Sequence, residues 1–357
     1  MINVTQTFLP PLEEYTEILK QVWESKWLTN RGNLVQLLEA KLREYLGVEN
    51  ILAVNNGTVA LQISIKALEL KGEIITTPFS YVATVSSIVW ENCTPVFVDI
   101  AGEYLTIDET RIEAAITDRT TAILATHVYG NPCNVEAIQE IAERHNLKVI
   151  YDAAHCFGVK YKGESILNRG DVSTLSFHAT KLFHTGEGGA IVCTDKKLAE
   201  KVFSHHNFGH NGPEEFFGLG VNGKISELSA AMGLAVLPYL DEIFTKRKSV
   251  CDAYDAAFAG RDLLTIKLRE GTEWNFSHYP VIFQSEAIML KAKAAMNEAA
   301  IFPRRYFYPS LNRLPYVDFI EMPVAEDLSG RILCLPLSAE MSVADSDSVT
   351  SLVNRYV

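Results

Sequence analysis

The 357-residue sequence has no apolar run near the roughly 18 residues a helix needs to span a membrane, and residues 1–10 lack the basic head and apolar stretch of a secretion signal. These absences predict a soluble, cytoplasmic chain. Only six cysteines occur, Cys93, Cys133, Cys156, Cys193, Cys251 and Cys334, and no two form a CxxC pair. That excludes a zinc knuckle or a thioredoxin-like redox centre and predicts buried free thiols. Basic residues are fewer than acidic ones, 32 against 44, giving a formal charge of -12. A mean field of that sign repels nucleic acid and acidic lipid, although a few donors in one pocket can still hold a small anion. The nine histidines include no HExxH, so no metal centre is expected. Neither GxGxxG nor GxxxxGK[ST] is present, which argues against a dinucleotide or P-loop site.

What the chain does have is a globular balance, 48% hydrophobic and 21% charged residues. Short apolar runs at 51–54, 73–80, 94–100, 121–130, 148–155, 174–179 and 189–193 read as strands. Helical spacing appears at 11–27, 34–46, 82–90, 107–116, 134–144, 228–240 and 243–258. Buried parallel strands read as continuous apolar runs because helices cover both faces, so this alternation predicts an α/β fold around a mostly parallel sheet. Residues 205–223, rich in Gly, His and Asn, read as a mobile or ligand-facing loop. Beyond about residue 260, strands at 278–283 and 332–335 and a helix at 287–299 predict a second, smaller domain. The division is placed between 1–250 and 251–357.

Polar residues cluster just after the strands, where ligand sites of open α/β sheets gather. Asp152 ends the run KVIYD. A carboxylate fixed at a sheet edge is suited to holding the proton of a ring nitrogen, although helix caps and turns also favour Asp there. Lys181 lies between a strand and the glycine-rich turn Glu187-Gly188-Gly189. Such a lysine is ordinarily a solvated surface group, but glycines allow the backbone close approach to a cofactor, and a lysine amine can bond reversibly to an aldehyde. Asn55, Asn56, Gly57 and Thr58 form a strand-to-helix turn whose free N–H groups, with the Thr58 and Ser176 hydroxyls, are suited to a phosphate. Tyr81 and His155 are candidates for the two faces, or the phenolic edge, of a pyridine ring. Arg304, Arg305, Tyr306 and Tyr308, in PRRYFYPSLNRLPY, are candidate substrate contacts because Arg matches phosphate geometry.

In order along the chain, SKWLTNRG (25–32), NNGTVAL (55–61), TTPFSYVAT (76–84), HVYGNPCNVEAI (127–138), YDAAHCFG (151–158), SFHATKLFHTGEGGAI (176–191) and NGKISE (222–227) resemble the DegT/DnrJ/EryC1/StrS sugar aminotransferases. The resemblance implies an aspartate-aminotransferase-like fold type I, with a large domain around a seven-stranded sheet and a smaller C-terminal α/β domain. It also implies pyridoxal 5'-phosphate as cofactor and a homodimer with active sites at the subunit interface. Lys181 would be the lysine that bonds the cofactor, and Asp152 would pair with its ring nitrogen. Gly57, Thr58 and Ser176 would hold its phosphate, completed by Asn222 of the partner subunit, and Tyr81 would stack on the ring. His155 departs from the glutamine common at that position, which leaves its ring contact and protonation state open.

WESKWLTN (23–30), YDAAHCFG and GESILNRGD (163–171) are most similar to the branch that aminates dTDP-4-keto-6-deoxy-D-glucose at C4, with L-glutamate as donor. Two alternatives stay open at this point. One is a different nucleotide-linked keto sugar, aminated at C3 or carried on another nucleotide. The other is a non-catalytic regulatory or interaction protein that keeps the fold.

Overall fold

Seven of the apolar runs condense into a single sheet in the computed structural model, which describes residues 1–357. Across the sheet the order is Asn50–Val54, Gly189–Cys193, Val172–Ser176, Lys148–Asp152, Thr120–Thr126, Glu73–Thr76 and Thr94–Phe97. Ile74, Ile123, Leu124 and Ile150 in the central strands are completely buried, as expected for strands covered on both faces. Gly189–Cys193 alone runs antiparallel to its neighbours. The reason is local: residues 177–188 contain no crossover helix, so the chain leaving Ser176 has to turn back beside its own strand.

The helices largely follow the apolar spacing, with ends set by recognisable caps. Asn33–Leu46 stops at Gly47, whose left-handed φ of 63° closes the helix. Asn134 caps Val135–His145 by accepting the Ala137 N–H. Three helices are additional to the sequence reading. Lys196–His206 is capped by Asp195 and buries Val202, so the loop expected from 205 starts two residues later. Pro323–Arg331 and Val343–Val353 belong to the C-terminal part, the latter opened by a Ser342/Asp345 capping box.

The stretch Glu227–Phe258 is long and apolar enough, at a mean hydropathy of 1.2, to match a membrane span by composition. It is not one unbroken helix, because a 3-10 turn at Leu237–Tyr239, carrying Pro238, interrupts it. Its apolar faces are committed to the interior. Ala230, Val236, Leu240 and Ile243 join the core of the large sheet, and Val250, Cys251, Tyr254 and Phe258 join a second core. That second core packs on a three-stranded antiparallel sheet, Leu264–Thr265, Tyr279–Ile282 and Ile332–Leu335. All six cysteines are buried and unpaired.

Candidate active site

Six strands point their C-terminal ends to one edge of the large sheet, so Thr126, Asp152 and Ser176 end their strands side by side. The antiparallel strand starts at the same edge, with Gly189 opposite both Val54 and Ser176. A Cβ on Gly189 would lie 2.7 Å from the Asn56 carbonyl carbon and from the Leu175 oxygen, so only glycine lets these backbones meet. This close approach sets the 55–58 turn against Ser176 and keeps the Lys181 loop over the sheet edge. A cavity of about 680 Å³ opens there, lined by Gly57, Thr58, Tyr81, Asp152, His155, Ser176, Lys181, Arg304 and Tyr306, among others.

Asp152 is buried, which raises its pKa. Donors oppose that rise: Thr84 Oγ1 bonds Oδ2 at 2.7 Å and the Ala154 N–H bonds Oδ1 at 3.1 Å. The Thr84 hydroxyl lies 2.7 Å from Ser80 Oγ, which in turn accepts from Thr126 Oγ1 at 2.9 Å. Three hydroxyls, from a strand end, a loop and a helix, thus hold the carboxylate in one orientation. Sequence reasoning missed them, because a contact spanning 68 residues leaves no local spacing to read. Thr84→Val should leave Asp152 and Ser80 short of a partner. We expect a loss of roughly 1–3 kcal/mol in unfolding free energy together with weaker cofactor binding. Denaturant unfolding and cofactor titration check this; unchanged values in both would remove the hydroxyl chain from the account.

Lys181 is held by its own turn, its N–H donating to the His178 carbonyl at 2.8 Å. Burial lowers its ammonium pKa from the usual 10.5 to about 8, against the opposing charge of Asp152. The lowered pKa favours the uncharged amine, so at neutral pH more of Lys181 is in the reactive form than of a solvated lysine. Incorporation of pyridoxal phosphate into the cofactor-free protein should therefore accelerate with pH up to about 8 and then level off. Stopped-flow absorbance would measure it. A rate still rising in proportion to hydroxide through pH 10 would mean that Lys181 titrates as a solvated lysine.

His155 stands in the cavity wall. Its Nδ1 accepts the Tyr129 N–H at 3.2 Å, so in the neutral ring the proton sits on Nε2. Burial first, then the charge of Lys181 and of His278, holds its pKa well below 6.5. Tyr129 and Phe307 lie parallel to it at 6.2 and 5.9 Å. His278, which no local motif marks, joins this wall at 4.5 Å from the His155 ring. A short strap fixes it: Trp274 and Ser277 donate to the Tyr129 carbonyl at 2.8 and 2.6 Å, and Asn275 donates to the His155 and Phe157 carbonyls at 2.8 and 2.9 Å.

At the other end of the cavity, Asn56 caps the helix Gly57–Ala67 by accepting the Val59 N–H, leaving the first-turn donors of Gly57 and Thr58 at the cavity edge. A Cβ on Gly57 would come within 3.1 Å of Ser176 Cβ. Three predicted residues lie outside the cavity. Asn222 is exposed and bridges Asn207. Arg305 is bonded to Glu286 at 2.6 Å and to the Gly330 carbonyl at 2.8 Å, with Tyr308 stacked 3.5 Å beneath its guanidinium.

The donor set fits pyridoxal phosphate. A buried carboxylate without an ion-pair partner suits a ring N–H, an enclosed amine suits an aldehyde, and a helix N-terminus with two hydroxyls suits a phosphate. Comparison with known proteins leads to the same cofactor. The chain is 44% identical to the dTDP-4-amino-4,6-dideoxy-D-glucose transaminase of Shigella dysenteriae, over 99% of this chain and 98% of the relative. It is 39% identical to the Escherichia coli enzyme of the same name, with the same coverage. The crystal structure of DesI, determined in the presence of its TDP-sugar product, superposes with a TM-score of 0.94 at 30% identity, covering 99% of this chain and 92% of that one. The architecture is that of fold type I pyridoxal-phosphate aminotransferases. The family profile matches residues 12–354, and the chain belongs to the DegT/DnrJ/EryC1/StrS aminotransferase family.

Proposed function

We propose that this aminotransferase moves the amino group of L-glutamate to C4 of dTDP-4-keto-6-deoxy-D-glucose, giving dTDP-4-amino-4,6-dideoxy-D-glucose and 2-oxoglutarate. The observation that carries the reading is end-to-end similarity to two transaminases of that name, in a chain whose Lys181 and Asp152 share one cavity. When bound, pyridoxal phosphate supplies an aldehyde that takes up the amino group and a ring that draws off electron density. Asp152 keeps the ring nitrogen protonated. Lys181, as the uncharged amine, removes the proton from Cα of glutamate and, once 2-oxoglutarate has left, delivers a proton to C4 of the hexose. His155 presents its Nε2–H to the ring's phenolic oxygen. Gly57, Thr58 and Ser176 bind the phosphate, and Tyr81 covers the ring.

The working unit is a homodimer in which Asn222 of each subunit completes the partner's phosphate site. Phe216, Phe217 and Leu219, 62%, 73% and 71% exposed, support this, because such a run beside Asn222 is suited to burial against a second copy. Residues 1–250 form the cofactor-binding domain and 251–357 the small domain, and the protein works in the cytoplasm. A monomeric holoenzyme with full cofactor affinity would remove the dimeric part of this reading. The substrate is tested by incubating holoenzyme and glutamate with 3-keto and 4-keto hexoses carried on dTDP or GDP, and locating the new C–N bond by NMR. Amination at C4 of the dTDP sugar is expected. Preference for a 3-keto sugar or a GDP carrier would replace the assignment.

A further inference from the structure

A transaminase cycle brings two dissimilar substrates to one cavity in turn, an amino dicarboxylate and a nucleotide diphosphate sugar. Both carry negative charge some bonds away from the reacting carbon. The cations lining the cavity are Lys181 and Arg304, and Lys181 is enclosed and committed to proton transfer. Arg304 differs from its neighbour in a way the dipeptide conceals. Arg305 is neutralised by Glu286, whereas the Arg304 guanidinium has no carboxylate within ion-pair distance. Its backbone is fixed, N–H to the Cys334 carbonyl at 3.1 Å and carbonyl to the Cys334 N–H at 2.8 Å. The guanidinium carbon rests 4.8 Å from the Tyr306 ring centroid. A positioned, exposed and unpaired planar fork at the cavity rim matches a carboxylate and a phosphate equally well.

We propose that Arg304 is the anion site shared by both substrates. It takes the side-chain carboxylate of glutamate in one half of the cycle and the diphosphate of the nucleotide sugar in the other. Groups on the reacting carbon stay beside Lys181, while charges further along each substrate reach the rim. The proposal rests on the transaminase reading and narrows it to one residue that selects both the donor and the nucleotide-linked acceptor.

The test uses holoenzyme and the variants Arg304→Gln and Arg304→Lys. Rates of the amino-donor half-reaction are followed by cofactor absorbance with glutamate and with glutamine, which is similar in shape but lacks the side-chain charge. Binding of thymidine diphosphate is measured by calorimetry. Arg304→Gln should lose roughly 10- to 100-fold of the preference for glutamate over glutamine and bind thymidine diphosphate at least about tenfold more weakly. Arg304→Lys, which keeps the charge without the fork, should recover part of both. Loss of neither effect, or of only one, overturns shared use. Failure of the wild-type protein to react with glutamate at all would instead overturn the transaminase reading itself.

Discussion

Replacing Lys181 with alanine should remove the absorbance of lysine-bound cofactor, leaving at most that of the free aldehyde, and lower turnover by on the order of 10⁴-fold or more, with the fold intact. Lys181 is the only lysine lining the cavity, so no neighbouring amine can take its place. Its pKa, lowered to about 8, also fixes the stability effect. The native state disfavours the charged amine at every pH below the usual 10.5, with the full cost present below about 8. Removing the amine at pH 7 relieves that cost, so the cofactor-free variant should unfold no more easily than the parent. Turnover near the parental level would remove Lys181 from the chemistry. A collapse of stability would instead make it a packing residue.

Asp152→Asn should separate charge from shape in the same way. The asparagine side chain can still accept the Ala154 N–H and meet the Thr84 hydroxyl, which can accept as well as donate. It lacks the negative charge that keeps a ring nitrogen protonated. Turnover should fall by on the order of 10²- to 10⁴-fold. Burial raises the Asp152 pKa, so the native state disfavours its ionised form above the ordinary carboxylate range, and neutralising it should not lower stability at pH 7. Kinetics and thermal unfolding on the same preparation check both halves. A parallel loss of turnover and stability would assign Asp152 a structural role.

Asp152 was legible at the sheet edge because it ends a continuous apolar run, whereas Lys181, five residues past the strand end at Ser176, stood out only through the glycine-rich turn that follows it and the family resemblance. The 55–58 turn and Ser176 were likewise readable as sheet-edge positions, and they line the same cavity. The direction of Gly189–Cys193 was not, since an apolar pentapeptide reads alike in parallel and antiparallel pairing. The hydroxyl chain from Thr126 through Ser80 and Thr84 to Asp152 depends on strand neighbours that only the folded sheet specifies. Arg304 and Arg305 are chemically the same in the sequence. What separates them is Glu286, on the helix Glu286–Glu298, which captures one guanidinium and leaves the other at the cavity. His278, next to the first residue of the strand Tyr279–Ile282, is carried to the cavity wall by a strap whose Trp274, Asn275 and Ser277 side chains donate to the Tyr129, His155 and Phe157 carbonyls.

The most direct measurement adds L-glutamate alone to the holoenzyme while cofactor absorbance and 2-oxoglutarate are followed together. Loss of the near-visible band is expected, with one 2-oxoglutarate released for each active site, and return of the band when the dTDP-linked 4-keto sugar is added. An unchanged spectrum with glutamate, in protein carrying its full complement of cofactor, would contradict it.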